Sequence, residues 1–146
     1  MEAEIEKMKK KMEDRELECK CIRCREYGHR LRQGYKAGKP NLKRIDYHAS
    51  GGREIFLSYT DSDNTLFGLL RLRIQKEPPI RLGRLKGNSF ALIRELHIYG
   101  REVAIGDKQV EAAQHKGLGK TILSEAERIA AEEFGVSQMA ILSGVG

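Results

Sequence analysis

The chain has 146 residues, with 27 Lys+Arg against 21 Asp+Glu and a formal net charge of +6. That length suits one domain with a real core, and 40% hydrophobic against 33% charged residues, with no low-complexity tract, excludes wholesale disorder. No apolar run nears the roughly 18 residues of a membrane span, the Glu/Lys-rich start is no signal peptide, and three cysteines within six residues make a poor secreted disulfide framework. An intracellular, cytoplasmic protein with no membrane partner is expected.

Residues 2–17 lack Gly and Pro and space Ile5, Met8 and Met12 three and four apart, which predicts a helix with a narrow apolar stripe. Such a helix is marginal alone and packs on the rest of a larger protein or on a second copy. A turn carrying Cys19, Cys21 and Cys24 follows, then a connector rich in Gly, Lys and Arg as far as Pro40. Between Lys20 and Arg44 the chain holds nine basic residues and one acid, Glu26. Arg23, Arg25, Arg30, Arg32, Lys36, Lys39, Lys43 and Arg44 form either a solvated basic face or a surface for a polyanion such as RNA. Tyr27 and Tyr35 interleave with them as candidate stacking rings.

Period-two patterning begins at Leu42. Leu42–Ala49 and Glu54–Thr60 flank Gly51-Gly52 as a hairpin, Thr65–Gln75 is a third strand and Ser89–Tyr99 a fourth, with loops at Pro78-Pro79 and around Gly106. Lys120–Phe134 is the strongest helix: Ile122, Leu123, Ala126, Ile129, Ala130 and Phe134 share one face and Gly135 stops it. Ser137–Leu142 is a last strand, reached by a step expected to be parallel. The fold class is α+β, or mixed α/β.

Gln114-x-x-Gly117-x-Gly119 sits between strand-plus-loop and that helix. Two glycines let the backbone approach a ligand, and the helix aims unpaired N–H groups and its positive dipole end at the same point. Lys116 and Lys120 add charge, so phosphate or pyrophosphate is the expected ligand; a glycine pair that merely packs the helix is the alternative. The pattern is neither a Walker P-loop nor G-x-G-x-x-G.

Q-x-x-G-x-G opening a helix resembles the acetyl-CoA motif of the GNAT acetyltransferase superfamily. Further blocks resemble the acetyltransferase domain of the Elongator catalytic subunit: Arg94–Gly100, Gln114–Gly119, Glu125–Ala130 and Ile141–Gly146, with Arg23–Glu26, Gly51-Gly52, Phe56–Ser58 and Gly68–Arg73 in the same order. The likeness covers about residues 17–146. It implies a GNAT fold whose splayed sheet holds acetyl-CoA. Glu95, Leu96, His97 and Ile98 would offer backbone to the pantetheine arm, and Gln114, His115, Lys116, Gly117, Leu118, Gly119 and Lys120 would hold the pyrophosphate. It also implies tRNA as partner and wobble-uridine carboxymethyl-type modification, with the iron-sulfur cluster and S-adenosylmethionine confined to a radical SAM domain absent from this chain. The family continues past Gly146 into a helix with a tyrosine pair, so a C-terminally truncated fragment with weakened cofactor binding is expected. The organisation read from this is a helix over 1–18, a basic Cys-rich segment and connector over 19–41, and an acetyltransferase domain over 42–146.

Cys19-x-Cys21-x-x-Cys24 offers three thiolates, and zinc needs a fourth ligand, for which His29 is the nearest candidate and His48 a distant one. Three free thiols on a basic loop are the alternative, while the resemblance supports a zinc motif here. Glu95 and His97, two apart on a strand, share a face. They are either a catalytic acid/base pair beside the thioester, or an Arg-paired carboxylate and a half-buried sheet histidine. Besides tRNA-dependent use or hydrolysis of acetyl-CoA, two functions compete: conventional protein or amine N-acetylation, and RNA binding without catalysis.

Overall fold

The computed structural model describes residues 2–76, 89–100 and 117–143. Helix α1 runs Glu2–Glu13 and ends four residues earlier than the composition suggests. The stop is a left-handed Glu16, with Leu17 N bonded to the Met12 carbonyl and Glu16 N to that of Glu13, which satisfies the last carbonyls of the helix. Its stripe stays largely open: Ile5 and Met8 remain exposed.

The segment expected as a turn and connector folds into two short helices, α2 (Ile22–Arg25) and α3 (Tyr27–Arg32). The reason is tertiary. Tyr27 is 4% exposed with its ring centroid 5.2 Å from that of Phe67, and Glu26 bridges to Leu66. Tyr27 therefore belongs to the sheet's core and offers no stacking surface; Tyr35 is exposed but lies under the Arg30 guanidinium, 4.6 Å away.

Five strands follow in the order β1-β2-β3-β4-β5: β1 (Asn41–Ala49), β2 (Gly52–Thr60), β3 (Leu66–Gln75), β4 (Phe90–Ile98) and β5 (Met139–Ile141). The first four pair antiparallel and β5 joins β4 parallel, as the final step predicts. Between β4 and β5 in sequence comes α4 (Leu118–Arg128), which continues through a widened π-helical turn, Ile129–Glu133. Gly135, at φ +63°, terminates it where the sequence places the stop.

Helix α4 lies over β3 and β4. Ile122, Ala126, Ile129 and Ala130 are buried against Ile55, Leu57, Leu70, Leu72 and Ile93, with Leu123 and Phe134 at the margin. Each large aliphatic side chain sealed there is worth about 1.5–3 kcal/mol in transfer free energy. The register puts Arg44 and Asp46 on this face, and Arg44 clasps Glu133 of the π turn at 2.8 Å. The other face carries Glu54, Arg71, Arg73, Arg94, Glu95 and His97 (the charged face below). No described helix is long and apolar enough to cross a membrane.

Candidate active site and metal centre

The site begins with one extra residue in β4. Pairing passes from Leu72–Ile93 to Arg71–Glu95, so Arg94 has no partner on β3 and forms a bulge. Strand β5 pairs only with Ala91–Ile93, closing with Leu142 N to the Ile93 carbonyl at 3.0 Å. Past that point the β5 side of Glu95–Ile98 has no partner strand among the described residues. The main-chain N–H and C=O groups on that side of β4 are left as an open edge among the described residues.

The N-terminus of α4 stands beside this edge. Gly117 adopts φ +99°, a left-handed geometry that a side chain would strain. The first backbone bond of the helix is Thr121 N to the Gly117 carbonyl, so the N–H groups of Leu118, Gly119 and Lys120 have no acceptor within the helix. A Cβ on Gly119 would touch Ile98 Cγ1 at 3.5 Å, which fixes how near the helix start lies to the free end of β4. Gly68 on β3 lies close to the same stretch of β4, where a Cβ would sit 2.6 Å from Ile98 Cδ1 and 3.1 Å from the His97 carbonyl oxygen. Lys120 is exposed. Gln114, His115 and Lys116 lie outside the described residues.

Leu96 and Ile98 face α4, whereas Glu95 and His97 point together onto the charged face. Glu95 meets His97 Nε2 at 3.2 Å and Arg71 Nη1 at 3.5 Å. His97 is 57% exposed rather than half-buried, and its ring stacks on Tyr99 with centroids 6.1 Å apart. Burial pushes the Tyr99 hydroxyl pKa up, helped by the Glu26 and Glu95 charges.

Sequence reasoning missed what holds the bulge. Glu54 on β2 is 1% exposed, and its Oε1 accepts from Arg73 at 2.6 Å and from Arg94 at 2.9 Å, which ties three strands together. Its Oε2 has no partner among the described residues. The available signal was the single carboxylate in the strand run Glu54–Thr60, which period two turns away from Ile55.

The three cysteine sulfurs lie within 4.8 Å of one another, and that group does not include His29. His29 Nε2 is 3.1 Å from the Gln33 amide and lines, with Cys19, Cys24, Met12 and Leu17, a cleft of about 550 Å³ beside α1. The Cys24 N–H donates to Cys21 Sγ at 3.4 Å and lowers the Cys21 pKa, with help from the other thiols. The same proximity pushes Cys24 up to about 11, chiefly through its hydrogen bond with Cys21. Thiols that crowd in this way shed protons together to a soft cation. The donor set fits three ligands of a tetrahedral thiolate site.

The basic residues separate by environment. Arg30 is 5% exposed and holds Glu18 at 2.7 Å and the Asp63 carbonyl at 2.6 Å, so it fastens the short helices to the turn before β3. Arg25 donates to Asn64 at 2.7 Å, and Arg44 is held between Asp46 and Glu133. Arg23, Arg32, Lys36, Lys39 and Lys43 are exposed and ion-pair with no described residue.

No family model matches the chain. It is 54% identical over 135 residues to the tRNA uridine(34) acetyltransferase of Dehalococcoides mccartyi, covering 92% of this chain and 29% of that protein. The chain is a relative of the Elongator protein 3 family. The tRNA uridine(34) acetyltransferase of Methanocaldococcus jannaschii is 44% identical over 94% of the chain, and mouse Elongator complex protein 3 is 43% identical over 93%. The structure of the archaeal Elongator protein 3 from Methanocaldococcus infernus with an N-terminal deletion superposes with a TM-score of 0.76 at 40% identity over 93% of the chain. The chain spans only 25–29% of the length of these curated relatives.

Proposed function

We propose that the chain is the acetyl-CoA-binding part of a tRNA uridine(34) acetyltransferase. The supporting observation is the main-chain edge of β4 left unpaired past the bulge among the described residues, beside a glycine-led helix start, in a chain related to acetyltransferases. Bound acetyl-CoA supplies an activated thioester carbonyl. The N–H groups of Leu118, Gly119 and Lys120 take its pyrophosphate, and the free main-chain edge of Glu95–Ile98 pairs with its amide-bearing arm. Glu95 and His97 carry protons beside this edge, with Glu95 orienting the ring. The roles of Gln114, His115 and Lys116 rest on sequence alone. The three cysteines hold zinc as a structural ion, its fourth ligand lying outside the thiolate group, and Arg23, Arg32, Lys36, Lys39 and Lys43 meet the tRNA backbone. Radical chemistry on the base belongs to the remainder of a full-length enzyme.

Calorimetric titration with acetyl-CoA tests the cofactor site. Binding is expected for the chain and lost in a Gly117→Asp/Gly119→Asp variant, whose carboxylates repel the pyrophosphate. Equal binding by both would overturn the assignment. tRNA affinity should fall with log salt at a slope of about −3.5 to −4.5, since five exposed cations each contribute roughly 0.7–0.9. A flat salt dependence removes those residues from the interface, and RNA-indifferent acetyl transfer to a peptide amine would replace the tRNA reading altogether.

A further inference from the structure

Strand β1 lies at the free end of the sheet. Its hairpin turn, Ser50-Gly51, has φ +49° and +72°, a type I′ loop that closes on a hydrogen-bonded pair, here Ala49–Gly52. Alternation along the ladder then turns the N–H and C=O groups of Leu42, Arg44, Asp46 and His48 away from β2. No described strand pairs with them. The side chains are open as well: Ile45 is 59% exposed, Tyr47 is exposed on the same face and Leu42 on the other. A nine-residue edge of this kind templates a further strand.

The sequence of the edge reads as its own complement. Two copies of β1 run antiparallel and centred on Ile45 place Ile45 against Ile45, Arg44 against Asp46, Lys43 against Tyr47 and Leu42 against His48. Arg44 and Asp46 then form an alternating four-charge ladder on the α4 face, while the isoleucines meet on the charged face. A register centred on Arg44 or on Asp46 instead opposes like charges. In the Ile45-centred register the outward-turned residues pair with one another, each exchanging two main-chain bonds. We infer that the chain self-associates through β1 about a two-fold axis at Ile45, joining two sheets into one. This goes beyond the proposed cofactor and tRNA sites and depends on neither.

The contact is small, so a weak dimer, micromolar or looser, is expected. Sedimentation velocity over a concentration series should show a monomer–dimer equilibrium. Asp46→Arg sets cations opposite one another and should weaken association at least tenfold, while Arg44→Asp/Asp46→Arg restores complementarity and should recover it. Circular dichroism on each variant separates loss of pairing from loss of fold. Ile45→Cys under mild oxidation should give a cross-linked peptide joining the two introduced thiols, because a non-hydrogen-bonded pair lies about 4.5 Å apart at Cα, within disulfide range. A monomer at every concentration overturns the inference. So does a dimer indifferent to Asp46→Arg and disrupted instead at α1 by Met8→Glu.

Discussion

Replacing Glu54 by glutamine removes the charge that two arginines share at the bulge. Arg73 is only 10% exposed at its side chain and loses its shortest contact, 2.6 Å, whereas Arg94, 42% exposed, can turn to water. Removing one partner of a buried ion pair costs about 3–5 kcal/mol. Arg73 keeps the Ala49 and Ser50 carbonyls at 3.0 and 2.9 Å and Gln75 Oε1 at 2.8 Å, which favours the lower end. The other oxygen, Oε2, is buried with no partner among the described residues, so no existing bond there offsets the loss. The expected loss is about 3 kcal/mol, read as a lower urea midpoint at unchanged slope, or roughly 10 °C in Tm. Combined with Arg94→Ala the losses should be less than additive, because both changes break the same bond. A loss under about 1 kcal/mol, or strict additivity, would refute the account of Glu54 as the anchor of the bulge.

Three further outcomes follow from the geometry. The Arg44 guanidinium, then Arg53, holds the Asp46 carboxyl down to about 2, against an ordinary 3.8. Its folded value is depressed, so its contribution is complete above about pH 4 and lost as pH falls through about 2. Wild type should exceed Asp46→Asn by about 1 kcal/mol at pH 6, with the gap closing only below pH 2; a pH-independent gap refutes the pairing. Cys19→Ser or Cys24→Ser should abolish zinc measured by elemental analysis, while His29→Ala should leave the metal-to-protein ratio intact because its ring lies outside the thiolate group; equal losses would place His29 among the ligands. Gly117→Ala, forced to φ +99°, should cost about 1–2 kcal/mol and weaken acetyl-CoA binding, and an unchanged urea midpoint would show that the helix start relaxes freely.

Much of the architecture follows from local rules. Period two and turn residues locate β1–β4, a six-residue apolar face and Gly135 define the second long helix, and the glycine pair marks its start, because each signal depends on neighbours along the chain. What needed the tertiary structure was non-local. Tyr27 and Arg30 look like surface residues of a basic connector until Phe67, Glu18 and Asp63 come beside them from elsewhere in the chain. The bulge at Arg94 is invisible in the composition of β4, since it depends on how that strand registers against β3. The sequence alone also set Cys19, Cys21 and Cys24 together, their spacing being short enough for a single turn to gather them. It could not decide on His29, whose distance from the sulfurs depends on how α3 packs. Nor could it show Glu54 reaching two arginines on two other strands: chain spacing dictates which face a side chain takes, but only the folded sheet decides what it meets there.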